Sequence, residues 1–319
     1  MTSAHPQAGP TYTFLGPEGT FSEAALLEVP GAAQAHRIPS GSAADALDKV
    51  RAGEADAAML PIENSIEGGV SATLDAIANG QNLRILREVI VPVTFVLLAA
   101  EGIGLRDVRR VGTHPHAWAQ TRGWVRANMP AVEYVPANST AAAAYELLAS
   151  AGSSYQAAIC APIVARHTGL KVLAAGIEDN AGAVTRFVLV GRPGPLPAAT
   201  GADKTTVAIP LPEDHPGALM QILDQFASRG VNLSRIESRP TGQFLGHYFF
   251  SIDADGHISD ARMADALSGL HRISPNLRFL GSYPRADAQA PVVEPHTSDD
   301  AFQQAQLWVQ ELLADRSGS

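Results

Sequence analysis

One short stretch constrains this chain more than any other. Asp56-Ala57-Ala58-Met59-Leu60 is a short, mainly apolar run with Gly53 upstream and Pro61 downstream. Its length and boundaries fit a strand buried on both faces better than a helix. Ser71 to Asn79 then reads as a helix ended by Gly80. Glu63, Asn64 and Ser65 therefore stand at a strand-to-helix turn, where open α/β sheets hold their ligands. Asn64 and Ser65 can donate hydrogen bonds, Gly68 and Gly69 let backbone come close, and a helix start offers unpaired N–H groups. Such a turn suits a small, oxygen-rich anion. Alone it reads as a polar helix cap, but three further turns of the same kind favour a site.

With 319 residues the chain has room for two domains, each with its own core. Hydrophobic content of 46% and charged content of 17% describe a globular protein, neither disordered nor coiled. The net charge of -9, with no local Lys/Arg cluster, argues against nucleic-acid binding. An anionic substrate would need a positive site built against that overall field. The single cysteine, Cys160, leaves no internal disulfide and no multi-cysteine metal site, and within Ala157-Ala158-Ile159-Cys160 it reads as a buried small hydrophobe. Residues 1–10 show neither a basic start nor an apolar signal core, and Val89 to Ala100 is too short, and broken by Pro92, to span a membrane. A cytoplasmic protein without membrane partners is expected.

The other corners follow in order. Strand Tyr12–Leu15 meets Gly16-Pro17-Glu18-Gly19, and Thr20-Phe21-Ser22-Glu23 has capping-box spacing. This corner lacks the Gly-Lys-Ser/Thr ending of a nucleotide loop. A helix near Ala43–Arg51 and strands Arg84–Glu88 and Val91–Ala100 come next. Strand Val108–Gly112 delivers Thr113-His114-Pro115-His116 and then Gln120, with Pro115 suited to a helix's first turn. Strand Val132–Val135 precedes Asn138-Ser139-Thr140, a cap for an alanine-rich helix through Leu148. After the Cys160 strand, a helix at Ile163–His167 and strand Lys171–Ala174, the loop Glu178–Gly182 enters Thr185-Arg186-Phe187. Alternating strand and helix predict parallel α/β sheets. An echo between Ala57-Ala58-Met59 and Ala157-Ala158-Ile159, each followed by Pro-Ile, hints at two similar lobes.

The segment Arg192–Ala202, rich in proline and glycine, reads as a linker. Beyond it the pattern becomes strand Thr205–Leu211, helix from Asp214-His215-Pro216, strand Asn232–Arg239, turn Thr241-Gly242, strand His247–Asp253, helix Asp260–His271 and strand Leu277–Tyr283. That order, βαββαβ, is the ferredoxin-like plan. A polar tail with one helix near Asp299–Leu313, docked on the surface, is expected to close the chain.

Gly16-Pro17-Glu18-Gly19-Thr20-Phe21-Ser22, Pro61-Ile62-Glu63-Asn64-Ser65, Thr113-His114-Pro115, Asn138-Ser139-Thr140 and Thr185-Arg186-Phe187 resemble the signature segments of prephenate dehydratase, in that family's order. Gly217-Ala218-Leu219 and Glu237-Ser238-Arg239-Pro240 resemble the phenylalanine-binding motifs of its ACT regulatory domain. The resemblance implies a two-lobed, periplasmic-binding-protein-like catalytic domain over 11–192, a linker over 193–203, an ACT domain over 204–284 and a tail over 285–319. It also implies decarboxylative dehydration of prephenate to phenylpyruvate without metal or organic cofactor. Since the first strand starts by Tyr12, a chain without a fused helical mutase domain is expected.

By the same resemblance Thr185 is the donor to the leaving hydroxyl, with Glu63 and Asn64 beside it. Thr20, Ser65, Thr113, Gln120, Ser139, Arg186 and Phe187 would hold the substrate. Arg186, alternating with Thr185 along a strand, could face away from it. Gly217, Ala218, Leu219, Glu237, Ser238 and Arg239, with Asn232 and Leu233 from a partner chain, would bind L-phenylalanine in a homodimer or homotetramer. Read from their own surroundings, His114 and His116 suit a turn and cap better than a base or metal pair, and Trp118 suits a core. Ser139 and Thr140 are first of all helix caps, and Arg239 is equally an exposed strand charge. Position 116 is often Gln in the family, so His116 departs from its pattern. Arogenate dehydratase fits the same pattern, and a non-catalytic amino-acid sensor is the alternative from another class.

Overall fold

A computed structural model describes residues 9–79, 82–149, 153–211, 215–240 and 248–315. The chain forms β1 (Thr11–Leu15), α1 (Phe21–Leu27), β2 (His36–Ser40), α2 (Ala43–Ala52), β3 (Ala57–Asn64), a two-residue β4 (Gly68–Gly69), α3 (Ser71–Asn79) and β5 (Arg84–Pro92). Then come β6 (Val96–Ala99), β7 (Arg110–Thr113), α4 (Pro115–Asn128), β8 (Glu133–Pro136), α5 (Thr140–Ala149), β9 (Ala157–Cys160), α6 (Ile163–Thr168), β10 (Lys171–Ala175) and β11 (Val184–Gly191). One sheet has the order β2-β1-β3-β11-β5, with β4 paired to β3, and a second has the order β10-β6-β9-β7-β8.

Local chemistry explains the helix ends. The Ser42 hydroxyl accepts the Asp45 N–H at the start of α2, and Gly53 takes the left-handed conformation that closes it. Pro115 opens α4, while Ser139 accepts the Ala142 N–H at the start of α5. In the second sheet the two-residue period of a strand fills both faces. Leu97, Ala99, Ala157 and Ile159 pack into one core layer, and Val96, Leu98, Ala158 and Cys160 pack into the other. The echoing triplets lie in β3 and β9, each third in its sheet.

Three expectations change. β3 runs through Pro61 to Asn64 rather than ending at Leu60, because β1 pairs with it only as far as Met59. The N–H missing from Pro61 therefore breaks no bond on that side. The break between β5 and β6 falls at Val93-Thr94-Phe95, where the Phe95 N–H is taken by the Glu178 carboxylate. Thr20 makes no capping bond: its hydroxyl donates to the Leu15 carbonyl, and Glu23 accepts from Gly19 instead.

The C-terminal part comprises β12 (Asp203–Pro210), α7 (Ala218–Ala227), β13 (Leu233–Pro240), β14 (Tyr248–Asp255), α8 (Ala261–Ile273), β15 (Arg278–Pro284) and α9 (Asp299–Asp315). Its antiparallel sheet has the order β13-β14-β12-β15, which with βαββαβ connectivity is the ferredoxin-like plan. Ile222 and Phe226 of α7 and Met263, Ala266 and Leu270 of α8 bury their apolar stripes on Val207, Ile209 and Ile252. Turn Thr241-Gly242, Asp214 and His247 lie outside the described residues. The Asp299 carboxylate accepts the Ala261 N–H, while Leu307, Trp308 and Leu313 further along α9 are exposed.

By its contacts the chain forms two compact units, residues 1–73 with 89–189, and residues 74–88 with 190–319. The division is not contiguous: residues 74–88 join the C-terminal unit. There Glu88 pairs with Lys204 at 3.1 Å and accepts the Ala286 N–H, and Arg84 lies over the Phe279 ring. Gly281, at φ +142°, has no room for a Cβ, which would overlap the Ile85 carbonyl.

Candidate active site and effector pocket

Asn64 ends β3, and its own turn decides its orientation. Its Oδ1 accepts the N–H groups of Ile66 at 2.8 Å and Glu67 at 3.2 Å, so its amide nitrogen must point elsewhere. It donates to Thr185 Oγ1 at 2.8 Å. Thr185 thus receives a hydrogen bond, and among the described residues no protein acceptor takes its own hydroxyl hydrogen. Thr185 is buried, with 8% exposure. Ser65 clamps the same corner in both directions. Its N–H donates to the Val184 carbonyl at 2.9 Å and its hydroxyl accepts the Val184 N–H at 3.0 Å.

Ser65 with Val184, Asn64 with Thr185 and Glu63 with Arg186 are successive cross-strand pairs of antiparallel register. Alternation therefore puts Asn64 and Thr185 on one face and Glu63 and Arg186 on the other. Arg186, nearly buried, approaches Glu63 at 3.5 Å. The expected position of Glu63 beside Asn64 is thus replaced by a pairing with Arg186, for the plain reason that adjacent strand residues point apart. Phe187 is core, 2% exposed.

Of the remaining predicted contacts, Thr113, Ser139 and Thr20 bond within the protein through their side chains. Thr113 is buried and donates to the Ile159 carbonyl at 2.6 Å. Ser139 caps α5, and Thr20 is bonded to Leu15. The backbone carbonyl of Gln120 accepts the Asp179 N–H at 2.7 Å. His114 is the N-cap of α4, accepting the His116 N–H, and desolvation, then His116, lowers its pKa. Trp118 stacks on Tyr134 at 4.6 Å, against the core.

Two residues escaped the sequence reading. Glu67 Oε1 meets His116 Nδ1 at 2.9 Å, and Asp179 accepts the N–H groups of Gly123 and Trp124. Both are acidic turn residues without a motif, so nothing local marks them. Among the described residues no group of three or more His, Cys, Asp or Glu is placed to hold a metal ion, and no helix is long and apolar enough to cross a membrane.

The second site lies in the C-terminal unit. Gly217, at φ +90°, turns the chain into α7, a conformation that disfavours any side chain although space is open. Gly217, Ala218, Leu219 and Ser238 line a concavity of about 320 Å³ with His215, Tyr248 and Phe250. That is the low end of small-ligand pockets. Glu237 and Arg239 are not among its lining residues, and Asn232 and Leu233 are the pair expected from a partner chain. Asn232 donates to Asp255 at 2.8 Å, Leu233 pairs with Ala254 in the sheet, and Glu237 lies 3.7 Å from Arg235. Arg239 makes a bidentate pair with Asp75, at 3.0 and 2.7 Å, rather than lining the pocket.

Comparison with known proteins identifies the family. The family model described as prephenate dehydratase matches residues 12–195. A prephenate dehydratase of Mycobacteroides abscessus is 46% identical over 295 residues, covering 91% of this chain and 94% of its own. The crystal structure of a prephenate dehydratase from Arthrobacter aurescens, in complex with L-Phe, is 68% identical with a TM-score of 0.91, covering 95% of this chain and 99% of that one. A second structure, GqqA, described as a novel type of quorum quenching acylase, is 31% identical with a TM-score of 0.76, covering 86% and 97%. The chain belongs to the prephenate dehydratase family.

Proposed function

We propose that this protein is a carbon–oxygen lyase that converts prephenate to phenylpyruvate, and that L-phenylalanine feeds back on it. The observation that carries the reading is the uncommitted hydroxyl hydrogen of Thr185, aimed by an Asn64 whose own orientation leaves no alternative. Prephenate becomes aromatic by losing carbon dioxide and its ring hydroxyl together. The electron pair of the breaking carbon–carbon bond enters the ring as the carbon–oxygen bond breaks. Aromatisation drives the step, and the protein must hold the ring and help hydroxide leave. A threonine hydroxyl is too weak an acid to surrender its proton fully, so Thr185 acts as a positioned donor that strengthens its bond as charge grows on the leaving oxygen.

The L-phenylalanine reading rests on the concavity at Gly217–Leu219 and Ser238. The start of α7 offers free N–H groups for a carboxylate, and Phe250 and Tyr248 offer apolar walls. β13 is an edge strand carrying an exposed Ile236, which supports pairing with a second copy in a homodimer or homotetramer. An acylase would need a nucleophile beside a base. The partner of Thr185 is a donating carboxamide, so that reading has no support at this site. Purified protein given prephenate, with phenylpyruvate followed by absorbance, tests the assignment. Arogenate and an N-acyl amide serve as parallel substrates. Turnover of prephenate is expected, and turnover of the amide alone would overturn the reading.

A further inference from the structure

We propose that the Arg239–Asp75 ion pair is the joint through which the effector pocket acts on the catalytic turn, with α3 as the moving part. The proposal rests on the feedback reading above and adds the residues that carry it.

At one end of the joint, Ser238 lines the concavity, and Arg239 is the next residue of β13. Successive strand residues face opposite ways, so a shift of the strand that accommodates a ligand on Ser238 must displace the Arg239 side chain. Arg239 holds Asp75 through two parallel hydrogen bonds, a geometry that transmits orientation as well as position. The pair bridges residues 164 apart in sequence and is partly exposed, with side-chain exposures of 21% and 35%.

Asp75 lies in the middle of α3, and the helix leads straight to the site. The boundary between the two compact units falls inside it, between Thr73 and Leu74. Its N-terminus follows Val70, whose N–H donates to the Ile62 carbonyl, and the Thr73 N–H donates to Val70. Just before it, Gly68 pairs with Asn64 and Gly69 with Glu63. A helix moves as a rod, so displacement at Asp75 reaches the strand pair that presents Asn64, and through Asn64 the Thr185 hydroxyl.

Initial rates across an L-phenylalanine titration, with calorimetric binding of L-phenylalanine, test this on full-length enzyme. Wild type and Asp75→Asn are compared, with Arg239→Gln as a second variant and the exchange D75R/R239D as rescue. Wild type should be inhibited, with coupling in the usual range of about 5- to 150-fold. Asp75→Asn should keep its uninhibited rate and still bind L-phenylalanine, with inhibition reduced to within about twofold of none. The exchanged pair should recover part of it. Inhibition of Asp75→Asn and Arg239→Gln equal to wild type would overturn the joint while leaving feedback intact. A wild type that neither binds L-phenylalanine nor slows would overturn the feedback reading, and the joint with it.

Discussion

The turn around Asn64 and the polar cluster inside the C-terminal sheet bury polar atoms in opposite ways. Around Thr185 the bonds are between neutral groups. Two backbone N–H groups hold Asn64, Asn64 holds Thr185, and the Thr185 hydroxyl hydrogen has no acceptor among the described residues. In the sheet, Arg235 grips Asp253 with two bonds of 2.9 Å, Thr206 adds a third at 2.8 Å, and the Thr206 hydroxyl meets that of Tyr283. Asp253 has no exposed surface. A network built on a buried ion pair settles a fold, and its carboxylate is taken up by protein donors. An open chain of neutral donors holds its geometry and keeps one hydrogen to give.

The largest expected effect would break that contrast at its open end. Thr185→Ala should lower kcat by roughly 10²- to 10⁴-fold with KM nearly unchanged, while Thr185→Ser should retain most of the rate. Near-normal turnover of the alanine variant would mean that the leftover hydrogen does nothing. In the sheet cluster, Asp253→Ala removes the carboxylate that takes two bonds from the buried Arg235 guanidinium, and should cost about 3–5 kcal/mol of stability by denaturant unfolding. A loss below about 1 kcal/mol would show that the cluster is wetter than its burial implies.

A smaller effect concerns acid. The hydrogen bond from Arg285 holds the Asp287 carboxyl well below the usual carboxylate range. A depressed folded-state pKa gives stability that is complete above the unfolded value, near 3.9, and is lost as pH falls through the folded one. Asp287→Asn should therefore flatten the fall of Tm below about pH 4 and change little at neutrality, an effect muted because Asp287 is about a third exposed. Parallel acid limbs for the two proteins would exclude this contribution. The smallest expected effect is none. Burial pushes the Cys160 thiol up to about 12, so a thiol reagent at pH 8 should label it only after unfolding. Rapid labelling of native protein would place Cys160 nearer solvent than its strand allows.

Much of this molecule was readable because local chemistry decides it. Apolar runs of four to eight residues became strands, Ser42, Pro115 and Ser139 marked helix starts, and the order of elements after Ala202 specified the ferredoxin-like plan. Candidate contacts fared differently. Thr113, Ser139 and Thr20 sit at corners where a site was expected, but their hydroxyls are bonded to the protein itself. A residue type says that a hydroxyl can bond; it does not say with what.

The sequence alone determined the kinds of element, their order and the motifs that mark two functional corners, since periodicity and turn chemistry act within a few residues. Tertiary structure decided the pairings across long separations. It brought Asn64 to Thr185 over 121 residues and Asp75 to Arg239 over 164, and placed residues 74–88 with the C-terminal unit. The physical reason is register. Which side chains meet depends on how distant strands align, and a shift of one residue turns every side chain to the other face.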